Sequence, residues 1–326
     1  NPKEAAKYYK TAADNGNAYA MLKYAKMCEN GEGVPTDSEA TVKYLDMITK
    51  SGDYSIIGTL GVSLFNGDGF KVDKQRGVDL LKIASENGDA NAMNNYANIL
   101  ARGDGSVVET DTEKATQLYK QAINLGHAGS MRNYAQLLLK ESENKKKAKE
   151  EQEKTSGQPN TNTTTTTTTT SDGREDQTDP DLVLAASLFK KAADLGDAKA
   201  MFGCARCLEK GDGVQADRKT ALSYYELAAK NGCADAMNNY AFVLEGLGRS
   251  EEAVSFYKKA IQLGHVGAMF NFGCVLLRGS PGIEQNKNEA AHYIKMAADN
   301  GYAAAMHCYA LMLDNGNGVD VDKNEA

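Results

Sequence analysis

The sequence predicts an all-α protein: an α-solenoid of about eight helix-turn-helix repeats wound as a right-handed superhelix and interrupted by one disordered insertion. Three observations predict it. A string of about ten residues recurs along the chain. Both halves of each period carry apolar residues at helical spacing. One polar stretch breaks the register once, after which the same register resumes.

The recurring string reads AADNGNAYAM at 12–21, IASENGDANAM at 83–93, AINLGHAGSM at 122–131 and AADLGDAKAM at 192–201. It returns as AAKNGCADAM at 228–237, AIQLGHVGAM at 260–269 and AADNGYAAAM at 297–306, with a degenerate copy, ITKSGDYSII, at 48–57. The anchor glycines are Gly16, Gly52, Gly88, Gly126, Gly196, Gly232, Gly264 and Gly301, spaced by about 36 residues except for one interval of 70. Such a period is one supersecondary element of a repeat array.

Each period holds two helices. After the anchor glycine, small or apolar residues fall on one helical face, as in Ala20, Met21, Tyr24, Ala25 and Cys28, or Ala92, Met93, Tyr96, Ala97 and Leu100. Before the glycine a second helix carries Ala5, Tyr9 and Ala12, or Ala221, Tyr225 and Ala228. The alanines allow close approach of two helix axes, and the larger residue fills the space beside them. The anchor glycine ends the second helix in a left-handed conformation. Asp37, Asp73, Asp111, Asp217 and Ser250 stand where helix N-caps are needed. The Gly-x-Gly pairs, such as Gly31/Gly33, Gly67/Gly69 and Gly211/Gly213, follow a helix and lack a third glycine and a following lysine. They read as helix exits rather than phosphate loops.

The combined pattern, A-M-x-x-Y-A-x-x-L-x-x-G-x-G-V followed by E-A-x-x-Y-Y-x-x-A-A-x-x-G, resembles the Sel-one-like repeat, a relative of the tetratricopeptide repeat. The resemblance covers residues 1–141 and 181–326. Two copies depart from it. Leu247 to Ala253 has a shortened loop and looks like a plain tetratricopeptide unit. Copy two carries Ile56, Ile57, Gly58 and Gly61 in place of the usual set, which marks a local change of curvature or a weaker unit. Both ends of the sequence fall within a unit, so flanking repeats are expected.

Residues 142–180 form the insertion. Glu143 to Lys154 is nearly all charged or Gln, Thr163 to Thr170 is unbroken threonine, and Asp172 to Pro180 adds acids, Gly and Pro. Nothing there can bury a core, so disorder is expected, with the charged part extending the preceding helix for a few turns. The organisation expected is therefore repeats over 1–141, insertion over 142–180 and repeats over 181–326, the two halves stacking as one array, with two four-unit domains on a tether as the alternative.

Composition excludes other classes. The net charge of −7 argues against a general nucleic-acid binder, and no apolar run is long enough to span a bilayer. Six cysteines in 326 residues are too sparse for a disulfide scaffold and fit reduced thiols in the cytoplasm, with an ER-associated location as the alternative. Cys204 and Cys207 form a C-x-x-C on a helix, without the second pair a zinc site needs. Of four histidines, His127 and His265 share one repeat position, explained by a helix start. No catalytic residue, metal site or cofactor is assigned.

In the related tetratricopeptide units the helix after the anchor lines the concave wall. The position seven after the anchor there reads Lys23, Thr59, Asn95, Asn133, Gly203, Asn239, Asn271 and Cys308. Position ten reads Lys26, Val62, Asn98, Gln136, Arg206, Phe242, Cys274 and Leu311. Asparagine is a poor helix-interior residue, so its recurrence calls for a reason. By resemblance, the amides form a ladder for an extended peptide backbone; the competing reason is that each bonds a neighbouring helix. The expected partner-binding residues are Lys23, Lys26, Asn95, Asn98, Asn133, Gln136, Arg206, Asn239, Phe242 and Asn271. The family resemblance implies a non-catalytic scaffold or adaptor for proteins or extended peptides. Its alternative is the regulatory repeat region of a larger enzyme such as a protein kinase.

Overall fold

The computed structural model describes residues 1–156, 168–169, 175–176 and 179–319. The first half contains α1 (Pro2–Asp14), α2 (Ala18–Asn30), α3 (Ser38–Lys50), α4 (Tyr54–Asn66), α5 (Lys74–Glu86), α6 (Ala90–Arg102), α7 (Thr112–Asn124) and the long α8 (Ala128–Ser156). A two-residue antiparallel ladder follows, β1 (Thr168–Thr169) with β2 (Glu175–Asp176). The second half contains α9 (Pro180–Asp194), α10 (Ala198–Lys210), α11 (Arg218–Lys230), α12 (Ala234–Gly246), α13 (Ser250–Gln262), α14 (Val266–Arg278), α15 (Lys287–Asp299) and α16 (Ala303–Asn315). The chain divides into two compact units, Asn1–Leu137 and Leu138–Ala326, with the division inside α8.

Helix boundaries follow the sequence signals closely. Asp37, Asp73, Asp111 and Asp217 accept hydrogen bonds from the backbone N–H groups of Ala40, Arg76, Lys114 and Thr220. These satisfy donors that a first helical turn leaves unpaired. Ser250 is a correction. It is the buried first residue of α13, and Arg249 holds the cap position without a side-chain bond. The shortened Leu247-Gly248-Arg249 link brings the helix in one residue early. His127 and His265 do start helices: their Nδ1 atoms accept from the N–H groups of Ser130 and Ala268 at 3.0 and 2.9 Å. Every anchor glycine has positive φ, and around Gly16 the Asn17 and Gly16 amides close back on Ala12 and Ala13.

The helix-pair seam is built from small residues nine after one anchor and eleven before the next. Ala97 and Ala115 occupy it in one pair, Ala205 and Ala221 in another, all at 0–2% exposure. In copy two both positions are glycine. A Cβ added at Gly77 would stand 2.7 Å from the Gly61 carbonyl oxygen, so α4 and α5 meet backbone to backbone. These two helices pack extensively on each other, whereas α3 and α4 touch sparingly. The departure of copy two is thus a redistribution of contact toward its C-terminal neighbour. At the Gly-x-Gly loops the second glycine allows close approach as well: a Cβ at Gly213 would collide with the Leu182 carbonyl in the first turn of α9.

The charged run beyond 141 continues α8 to Ser156, the helical extension its Glu, Lys, Gln and Ala content favours. Helix therefore covers the first part of the stretch expected to be disordered, and α9 already begins at Pro180. The rest of 142–180, apart from the short ladder, lies outside the described residues. In the second unit, Ser142 donates to the Asp179 carboxylate and Lys145 to that of Asp181, fastening the extended part of α8 to the start of α9.

Candidate functional site

Within each unit the even-numbered helices touch the next even-numbered helix: α2 with α4 and α4 with α6, then α10 with α12 and α12 with α14. They form an inner layer, and the odd-numbered helices pack on it. Positions seven and ten after the anchor lie on these even-numbered helices, so the expected binding residues share that layer, each within its own unit.

The asparagines divide into two kinds. Asn133 donates from Nδ2 to Asn94 Oδ1 at 2.9 Å, one repeat earlier, and Arg132 donates to Asn133 Oδ1 at 2.8 Å. Asn271 donates to Asn238 Oδ1 at 2.9 Å, again one repeat earlier, while Asn238 donates to Asn239 at 3.2 Å. These are bonds between neighbouring repeats, as the structural reading of the ladder requires. The acceptors, Asn94 and Asn238, sit at position six, which the position-seven comparison passed over. The available signal was the identical string Ala-Met-Asn-Asn-Tyr-Ala at 92–97 and 236–241, each followed one repeat later by Leu-Gly-His. The histidines belong to the same junctions: His127 Nε2 lies 3.1 Å from Asn91 Oδ1, and His265 Nε2 lies 3.3 Å from Asp235 Oδ1.

Asn95 differs. Its amide makes no hydrogen bond among the described residues, and it is half-buried. Asn98 accepts from the Tyr119 hydroxyl at 2.7 Å and keeps its amide hydrogens unused. Burial pushes the Tyr119 phenol up to about 12, so it remains the donor. Asn133→Ala and Asn271→Ala should each lower stability by about 1 kcal/mol, read as an earlier urea midpoint. Asn95→Ala should leave the midpoint in place, and equal shifts for all three would refute the division.

The other wall residues also sort by occupancy. Lys26 is engaged by the next repeat: its Nζ lies 3.4 Å from Asp68 and 5.6 Å from the Phe70 ring centroid, and its stem covers Gly69. Lys23 stands over the Tyr19 ring at 5.3 Å. Gln136 and Arg206 are exposed, and Phe242 is 65% exposed, an unusual state for a phenylalanine. Gly203 interrupts the asparagine series because the Phe189 ring fills its place; a Cβ there would collide with the ring. Cys204 and Cys207 are buried, and burial pushes their thiols up to about 12 and about 11, which suppresses thiolate chemistry.

Nine segments of the chain match the Sel1 repeat: 1–17, 18–53, 60–89, 90–127, 171–197, 198–233, 234–265, 266–302 and 303–326. The chain belongs to the Sel1 repeat family. A break after residue 53 falls on the first turns of α4, in the glycine-bearing copy. The fold is that of other Sel1 proteins. The Sel1 repeat protein from Oxalobacter formigenes matches with a TM-score of 0.62 at 21% identity, over 94% of this chain and 79% of that chain. The immunity protein PA5088 from Pseudomonas aeruginosa matches with a TM-score of 0.48 at 22% identity, over 78% of this chain and 82% of that one. The F-box protein At1g70590 of Arabidopsis thaliana is 34% identical over 107 residues, which is 33% of this chain. The Sel1 chain spans only 30% of that relative's length. A Sel1 solenoid is in general a non-catalytic interaction scaffold. Among the described residues, no helix is long and apolar enough to cross a membrane.

Proposed function

We propose that this Sel1 chain is a non-catalytic scaffold that holds partner proteins or extended peptides on its even-numbered helices. The observation that carries the reading is the set of unspent side chains on that layer. Asn95 and Asn98 keep free amide hydrogens in the first unit, and Arg206 and Phe242 stand exposed in register on α10 and α12 in the second. Amides suit a peptide backbone, because each offers both a donor and an acceptor. An exposed arginine and an exposed aromatic are the residue types that dominate binding energy at protein interfaces. As such a scaffold it serves as an adaptor for peptide segments of its partners in the cytoplasm.

The relative named an F-box protein is matched over less than a third of its own length. That favours, as a second reading, a repeat region serving a longer protein, such as the regulatory part of a kinase. Affinity capture with the intact protein, followed by mass spectrometry, tests the primary reading when paired with Arg206→Ala/Phe242→Ala. The variant should keep the wild-type melting temperature and lose at least one partner that the wild type retains. An unchanged partner set would overturn the wall as the binding surface.

A further inference from the structure

The first unit carries a cavity of about 260 Å³ between α4 and α6, on the inner layer. It is smaller than the roughly 300–1,000 Å³ typical of sites for drug-sized ligands, so it suits a single residue. Its floor is apolar: Leu81 is fully buried, and Val62 and Phe65 are half-buried around it. Its rim is polar, made by Asn95, Asn98 and Arg102.

Charge at the rim is unbalanced. Arg102 is exposed and makes no ion pair or hydrogen bond among the described residues. The one carboxylate lining the cavity, Asp104, is already consumed. It accepts from the Val107 and Val108 amides at 2.9 and 2.7 Å, accepts from Ser106, and pairs with Lys74 at 3.1 Å. Asn98 Oδ1 already accepts from Tyr119, and both hydrogens of that amide remain unused. The rim therefore offers a guanidinium and amide hydrogens with no acceptor assigned to them, directly above an apolar floor.

We infer that this cavity binds the C-terminal residue of a partner chain, with an apolar side chain on the floor and the terminal carboxylate held by Arg102, Asn98 and Asn95. The cavity holds about one residue, so the apolar group and the anion must belong to the same residue. An internal Asp or Glu carries the anion alone, and an internal Leu or Ile carries the apolar group alone. A terminal Leu, Ile or Val carries both, a few bonds apart. The inference rests on the scaffold reading and assigns a partner chemistry to part of the same layer.

The test uses the intact protein and three synthetic probes: acetyl-Gly-Ser-Gly-Ala-Leu with a free carboxylate, the same peptide amidated, and acetyl-Gly-Ala-Glu-Leu-Gly amide with an internal acid. Binding is followed by calorimetry and by the NMR signals of the Val62 methyls and Arg102 Nε–H. The free-acid peptide should bind about tenfold tighter than either amide and shift both sets of signals. Arg102→Gln should remove that preference without moving the melting temperature, and Arg206→Gln should leave it intact. Equal binding of acid and amide, tighter binding of the internal-acid peptide, or no binding at millimolar peptide would each overturn the inference. If the peptides are ignored while Arg206→Ala/Phe242→Ala still releases captured partners, the cavity assignment falls and the scaffold reading stands.

Discussion

Gly77→Val should destabilise the first unit by about 1–3 kcal/mol, even though it removes a glycine from a helix interior. Two effects oppose each other. Replacing a helical glycine by a residue with a Cβ gains up to about 1 kcal/mol of helix propensity, and less for a β-branched residue. Against this, the first added carbon would stand 2.7 Å from the Gly61 carbonyl and 2.8 Å from the Phe65 amide nitrogen. Both are backbone atoms of α4, which no rotamer change can move aside. Overpacking of this kind typically costs 1–3 kcal/mol and forces backbone shifts. Several other helix pairs, such as Ala97 with Ala115 and Ala205 with Ala221, seat alanines at the equivalent seam. Urea unfolding, together with faster hydrogen exchange across α4 and α5, checks this. A midpoint at or above wild type would mean that the two helices separate freely.

Phe189→Ala should cost about 3–5 kcal/mol, since the ring is 2% exposed and its removal leaves a cavity beside Gly203. Gly203→Asn should also destabilise, because its Cβ would enter that ring. The two changes together should cost less than their sum: removing the ring makes room for the amide, as expected for residues in direct contact. Strict additivity in the double-mutant cycle would show that Gly203 is glycine for another reason. Partial rescue would show that the asparagine series was broken here by a change of packing partner rather than by loss of a binding need.

Much of the fold was legible because it is local and repeated. The period, the two helical faces, the aspartate caps and the left-handed anchor glycines each depend on residues within one unit. Repetition turns each weak signal into eight readings of the same signal. What escaped sequence reading lies between units. That Asn133 serves Asn94, that Lys26 is drawn away by Asp68, and that Phe189 occupies the place above Gly203 all depend on how one hairpin rests on the next. Ser250 is helical rather than a cap for a related reason, since the shortened loop before α13 moves the cap to Arg249. The wall positions were found from the family resemblance. The division into spent and unspent side chains needed coordinates, because identical asparagines at identical positions have different neighbours.

The fastening of α8 to α9 through Ser142–Asp179 and Lys145–Asp181 bears on the threonine-rich stretch between them. Both pairs join residues that lie outside the threonine tract, so the register between α8 and the first turn of α9 is written in four side chains that the tract's length does not alter.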